Sequence, residues 1–306
     1  MSYSHPKTLA EAALLTKRET DCMFIAGGTD LMVRRSLGLD ATTHLIDLTG
    51  IRELRGITLE GDTLSIGAAT TLAELASNAT VQSHFLALTE AALAIASPSI
   101  RNSGTVAGNL LCENRCIYYD QSEFWQTAAG GCLKCGAEVC IATGSAKHCY
   151  SVFISDLAPV LIVIGAQVEI LEEENAHNIV GKPVEWLYTG DGLASHTTSK
   201  RDILTRILIP IPKSIPRVLF RKIRPRGSVD FTNLTVALRQ SHDGTTTVAV
   251  SGIGPAPAVV RDTTTNDAGS LATALLKQSQ IIDNLSYRRS YRKEMLTEVL
   301  QSMTKD

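Results

Sequence analysis

With 306 residues, 44% of them hydrophobic and 20% charged, the chain has room for two cores and the composition of an ordinary globular protein. A net charge of −2 gives no electrostatic reason to bind nucleic acid or an anionic membrane. The longest apolar run, Leu157 to Leu171, carries Gln167 and Glu169 and falls short of a bilayer span, and residues 1–15 lack the basic-then-apolar order of a secretory signal, so the expected location is the cytoplasm.

Thr8 to Leu15 reads as a short helix after Pro6, with Thr8 as N-cap and Glu11 three residues on. Cys22 to Ala26 is a short apolar strand that runs into Gly27-Gly28-Thr29-Asp30, and Leu31 to Leu37 then suits a helix. His44 to Leu48 and Thr63 to Gly67 read as strands, the second alternating polar and apolar residues. Helical spacing covers Leu72 to Ala76 and Val81 to Ala96; Pro98 then interrupts, and Ser99 to Asn109 is rich in turn formers. Val160 to Leu171 is a β-rich run, and Ile203 to Ile211 a further strand. Pro210, Pro212 and Pro216 mark a domain boundary, followed by strands over Val229 to Leu238 and Thr245 to Ile253 and by two helices, the last from Tyr287 to Met303. Gly252-Ile-Gly254 begins a dinucleotide motif but has Pro257 in place of its third glycine, which makes it a strand-to-turn feature. The basic run Arg288 to Lys293 shares a helix with Met295, Leu296 and Val299 and reads as a solvated face.

Six of the seven cysteines fall between Cys112 and Cys149. Across residues 110–150 the hydrophobic pattern breaks down, and so long an irregular stretch inside a domain needs something other than apolar burial to hold it. In a reducing compartment a local cluster of thiolates points to a metal site. The pairs Cys112-x₃-Cys116 and Cys132-x₂-Cys135 would also suit zinc, so spacing alone leaves iron–sulfur, zinc and free thiols open.

Two glycine turns have the makings of phosphate sites. Ala26-Gly27-Gly28-Thr29-Asp30 lies between a strand and a helix, where glycines let backbone N–H groups approach an anion and Thr29 adds a hydroxyl. Gly104-Thr105-Val106-Ala107-Gly108-Asn109 offers the same from a second loop. Neither is G-x-G-x-x-G or a Walker A sequence.

Taken together and in order, Ile25 to Leu31 and Ile100 to Asn109 resemble the two flavin motifs of the xanthine dehydrogenase and carbon monoxide dehydrogenase flavoproteins. Ser155-Asp-Leu-Ala-Pro159 and Phe220-Arg-Lys222-Ile-Arg224 agree, so the resemblance spans the chain. It implies an α+β protein. A two-subdomain FAD-binding fold of the PCMH type occupies residues 1–212 (subdomains 1–55 and 56–212, cysteine-rich loop 110–150), and a small α+β domain occupies 213–306. It further implies that FAD is held by Ile25, Ala26, Gly27, Gly28, Thr29, Asp30 and Leu31 and by Asn102, Gly104, Thr105, Val106, Gly108 and Asn109, with Asp156 and Lys222 near the flavin. Read from the residues alone, Asp156 is a cap or turn residue and Lys222 a solvated strand lysine.

Family members without a cluster pass quickly from the G-N turn to S-D-L-x-P, whereas here residues 110–154 intervene. The insertion resembles that of the 4-hydroxybenzoyl-CoA reductase β subunit, which carries a [4Fe–4S] cluster, through Asn114-Arg-Cys116-Ile-Tyr-Tyr-Asp-Gln-Ser-Glu-Phe-Trp125 and then Cys132, Cys140 and Cys149. Carried over, the ligands are Cys116, Cys132, Cys140 and Cys149; Cys112 and Cys135 are left over, and His148 reads as a surface residue. The resemblance implies an oxidoreductase subunit that moves electrons between FAD, the cluster and an external carrier. It also implies a small [2Fe–2S] subunit and a molybdenum-cofactor large subunit, assembled as a dimer of heterotrimers. Flavin subunits of aldehyde, N-heterocycle and purine dehydrogenases are the alternatives within the family, and the periplasmic aldehyde oxidoreductases also carry a cluster. Outside it stand a self-sufficient flavin oxidoreductase and a zinc-stabilised scaffold.

Overall fold

The computed structural model describes residues 2–173 and 179–305. Near the N-terminus, β1 (Ser2–Ser4), β2 (Cys22–Ile25) and β3 (His44–Asp47) form a parallel sheet in the order β1-β3-β2. Parallel neighbours need crossovers, and helices Leu9–Arg18 and Leu31–Ser36 supply them. Thr8 caps the first as expected, accepting from the Glu11 N–H at 3.1 Å. No apolar pattern announces β1; pairing with β3 holds it, helped by Ser2 Oγ against His44 Nδ1 at 2.6 Å and a Tyr3–Asp47 hydrogen bond.

The second sheet is antiparallel, with order β4-β5-β8-β6-β7. Its members are β4 (Ile57–Glu60), β5 (Thr63–Gly67), β6 (Gln167–Leu171), β7 (Ile179–Pro183) and β8 (Ile203–Pro210). Helices Leu72–Ser77, Ala79–His84 and Leu86–Leu93 belong to the same core. The single helix expected over Val81 to Ala96 is broken at Phe85, whose φ of −138° leaves the helical region while its ring is buried. Pro98 opens a helix instead of merely interrupting one, as the first residue of Pro98–Arg101 behind the Ser97 cap.

The third sheet is also antiparallel: β9 (Arg217–Ile223), β10 (Leu234–Gln240), β11 (Thr246–Ser251) and β12 (Ala258–Thr263), in the order β12-β11-β10-β9. On its two central strands the faces separate by size. Val236, Leu238, Val248 and Val250 point into a core with helices Ala268–Leu276 and Arg289–Lys305, while Ala237 and Ala249 join the larger core. The strand expected to begin at Val229 begins at Leu234, because Val229 has φ +71° and cannot be extended.

The β-rich run from Val160 is partly overturned. Leu157–Val163 is a helix, all of it buried, and only Gln167–Leu171 is strand. A helix covered on every side is apolar all round, so period gives no sign of it. Small residues on β10 and β11 let it lie close to the sheet. The basic run is likewise only partly solvated. Arg292 is 1% exposed, donating to the Gly252 carbonyl at 2.7 Å and to the Ile282 carbonyl; burial pushes its guanidinium down to about 10. Among the described residues no helix is long and apolar enough to cross a membrane.

Candidate functional site

Where β2 ends the chain turns sharply. Gly28 takes φ +66°, a region open to glycine at little cost, and its carbonyl accepts from the Met32 N–H at 3.0 Å to start the next helix. The second glycine loop leaves Pro98–Arg101 and enters the short helix Val106–Leu110, capped by Thr105 Oγ1 accepting from the Gly108 N–H at 3.1 Å. The two loops touch backbone to backbone. A Cβ on Gly27 would fall on the Ser103 carbonyl group, and one on Gly104 would stand 3.3 Å from Thr29 Oγ1. At Gly27, close approach and not positive φ excludes a side chain.

Together the loops wall a cavity of about 660 Å³, within the range of small-molecule sites. Ile25, Ala26, Gly27, Gly28, Thr29, Asp30 and Leu31 all line it, as do Gly104, Thr105 and Gly108. The other expected flavin residues are placed elsewhere. Asn102 is exposed at the end of its helix, and Val106 is buried in the larger core. Asn109 Oδ1 accepts from Ser155 Oγ at 2.7 Å and from the Leu157 N–H at 3.3 Å, which pins the second loop to the buried helix. Asp156 and Lys222 pair with each other at 2.5 Å, nearly sealed from solvent. Thr235 Oγ1 donates to Asp156 at 2.6 Å and Lys222 to the Ala94 carbonyl at 3.1 Å. Burial raises the Asp156 carboxyl above its ordinary value despite the pull of the Lys222 charge.

Sequence reasoning missed a further part of this cavity's lining, formed by Arg34, Cys112, Glu113, Tyr119, Lys134 and His196. Glu113 and Lys134 pair at 2.8 Å, Lys134 Nζ lies 4.9 Å from the Tyr119 ring centroid, and Arg34 donates to the Tyr119 hydroxyl at 3.4 Å. Burial holds the His196 imidazole below its ordinary value. Burial, reinforced by the Asp30 charge, pushes the Cys112 thiol up to about 12, and burial raises the Cys116 thiol to about 11. Arg34 could have been found, one helical turn beyond Asp30. His196 is brought in from the segment before β8 and carries no local signal.

A second, small cavity is lined by Cys116, Cys132, Cys140 and Cys149, with neither Cys112 nor Cys135; Cys135 is exposed. Polar ties hold the surrounding loop. The Asn114 amide donates to the Ser151 and Pro255 carbonyls at 3.1 and 2.9 Å, Asn284 to the Tyr150 carbonyl at 2.6 Å, and Gln126 to the Tyr118 carbonyl at 2.5 Å. Tyr119, Leu133 and Lys134 line both cavities. Among the described residues no three His, Cys, Asp or Glu side chains group closely enough to hold one metal ion. His148 is exposed, facing Asp191 at 3.4 Å.

A family described as the FAD binding domain in molybdopterin dehydrogenase matches residues 1–212. The aldehyde oxidoreductase FAD-binding subunit PaoB of Escherichia coli (strain K12) is 30% identical over 264 residues, covering 84% of this chain and 82% of that protein. The carbon monoxide dehydrogenase medium chain of Hydrogenophaga pseudoflava is 43% identical over 109 residues, 35% of this chain and 38% of that protein. Among solved structures, a Cu,Mo-CO dehydrogenase chain superposes with a TM-score of 0.76 over 99% of this chain and 96% of that one, at 20% identity, which shows a common fold. On the family match and the long alignment, this chain belongs to the FAD-binding subunits of the molybdopterin dehydrogenases and is an oxidoreductase subunit.

Proposed function

We propose that the chain is the electron-transfer subunit of a molybdenum-containing hydroxylase or reductase, with FAD in the larger cavity and a [4Fe–4S] cluster on Cys116, Cys132, Cys140 and Cys149. The observation that carries this reading is the partition of the thiols: these four line one cavity, while Cys112 lines the other and Cys135 faces solvent. Thiolates are soft, strongly donating ligands, and four satisfy a [4Fe–4S] cube. A cube spreads its irons over four corners, so its thiolates stand further apart than ligands on one zinc ion with bonds of about 2.3 Å.

FAD, when bound, exchanges electrons between two-electron and one-electron carriers. The chain's own residues orient it and keep water away. Backbone at Ala26 to Asp30 and at Gly104 and Thr105 lies open to a pyrophosphate, and Tyr119, Leu133 and Lys134 form the partition with the cysteine cavity. Asn102, Val106, Asn109, Asp156 and Lys222 support this site by shaping the second loop and its anchor. Substrate chemistry belongs to a molybdenum-cofactor large subunit, reached through a small [2Fe–2S] subunit, in a dimer of heterotrimers that meets an external carrier. Residues 1–212 form the flavin unit and 213–306 the C-terminal unit.

The wording from Gln121 to Trp125 favours a 4-hydroxybenzoyl-CoA reductase-like complex, in which electrons enter through the cluster. The long alignment with an aldehyde oxidoreductase subunit favours a second reading, in which they leave through it. The test of the site is the same for both. Chain purified without oxygen should show flavin absorbance and about four irons per chain, the content of the cube. Cys140→Ser should remove the iron and keep the FAD, whereas Cys135→Ser should remove neither. Zinc without flavin, or iron lost with Cys135→Ser, would overturn the assignment.

A further inference from the structure

Of the pair Cys132-x₂-Cys135, the cluster assignment uses one thiol and leaves the other without a part. Leu133–Cys135 is a single 3₁₀ turn with Cys132 at its cap, and the Cys135 N–H donates to the Cys132 carbonyl at 2.8 Å. Side chains three residues apart eclipse in such a turn, and here the two sulfurs stand 3.8 Å apart. Gly136, at φ +84°, then turns the chain away.

The two thiols differ in access. Cys132 is buried at the wall of the small cysteine cavity, whereas Cys135 is exposed and takes no part in that wall. A small oxidant can therefore reach one thiol from solvent, and that thiol lies beside the one assigned to the cluster. Reversible thiol chemistry has this arrangement, an accessible cysteine poised next to a second that resolves it.

We propose that Cys132 and Cys135 close into a reversible disulfide when the cysteine cavity is empty, with Cys135 as the locking thiol. The proposal rests on Cys132 as a cluster ligand and adds what becomes of that ligand while no cluster is bound. With a low-molecular-weight disulfide as oxidant, the Cys135 thiolate attacks one of its sulfurs and expels the first small thiol. The Cys132 thiolate then attacks the Cys135 sulfur of the mixed disulfide and expels the second. Two protein thiols are oxidised, one small disulfide is reduced to two thiols, and the two protein protons end on those thiols. A dithiol reductant reverses both steps. Burial pushes the Cys135 thiol up to about 11, so thiolate is scarce near neutrality and the lock closes slowly. Once locked, Cys132 cannot ligate, and three thiolates are left where a cube needs four. It is also protected from irreversible oxidation to the sulfinic acid.

The experiment takes full-length chain stripped of iron and holds it with oxidised glutathione at about pH 8.5, near the pKa of free cysteine. Remaining thiols are then alkylated and the linked peptides identified by mass. The expected link is Cys132 to Cys135. Locked chain should lose its capacity to take up iron on anaerobic reconstitution and regain it after dithiothreitol. Cys135→Ser, changed at an exposed position, should keep its iron uptake through the same treatment, with bound FAD reporting an intact fold. Cys132 and Cys135 left as thiols, or iron uptake lost equally in Cys135→Ser, would overturn the proposal. Linked chain that still takes up its full iron would instead remove Cys132 from the ligand set on which the proposal stands.

Discussion

Gly27→Ala is expected to weaken FAD binding by about 5- to 150-fold, the equivalent of the roughly 1–3 kcal/mol that overpacking costs. The added methyl would fall on the Ser103 carbonyl group, with the carbonyl carbon at 2.6 Å and Gly104 Cα at 3.0 Å, all of it backbone that no rotamer change can move aside. The two glycine loops would have to separate, and both line the cavity. Gly227→Ala is the control, since a Cβ there meets nothing within 4 Å and no positive φ is involved. Equilibrium titration with FAD on the two variants makes the comparison. Equal affinities would show that contact between the loops is not needed for binding.

Lys222→Met should cost about 3–5 kcal/mol of folding stability at neutral pH, the usual effect of removing one partner from a buried ion pair. Asp156 would lose its ion-pair partner and be left with Thr235 and the weaker influence of the Arg224 charge, in surroundings almost closed to solvent. Asp156 already holds its proton more tightly than in an unfolded chain, because burial raises its carboxyl. Loss of Lys222 raises it further. Below the raised value the folded variant binds a proton that the unfolded chain has released, so its deficit is full above that value and shrinks as pH falls through it. Urea unfolding across that range would show the narrowing gap. A deficit constant with pH would assign the loss to packing of the lysine stem. Asp156→Asn combined with Lys222→Met should recover part of the loss, since an amide leaves no buried charge.

The glycine loops were legible because their chemistry is local. Strand, turn and helix follow one another within Cys22 to Ser36, and the special residues are adjacent. The cysteines were only half legible. Their clustering was plain, and Cys132 and Cys135 do stand as a pair, their sulfurs 3.8 Å apart, but only the fold shows that the first alone lines the small cavity. Arg34 and His196 meet through tertiary structure that no window of sequence contains. Elsewhere local propensity was overridden. Val160, Ile162 and Val163 favour strands by composition, but a helix fits the slot between sheet and core. Arg292 sits among exposed charges and is drawn inward by two backbone carbonyls.

That enclosed helix, Leu157–Val163, ties the chain's thermal behaviour together. Its neighbours come from both sides of the proline-rich segment: helices Leu86–Leu93 and Val106–Leu110 from one, strands β10 and β11 from the other. Material cut after residue 212 would carry an apolar rod with one flank bare, and would be prone to aggregate. The proline-rich segment is therefore a joint in sequence but not a hinge in energy. Heating should melt the chain in one calorimetric endotherm, with neither half outlasting the other.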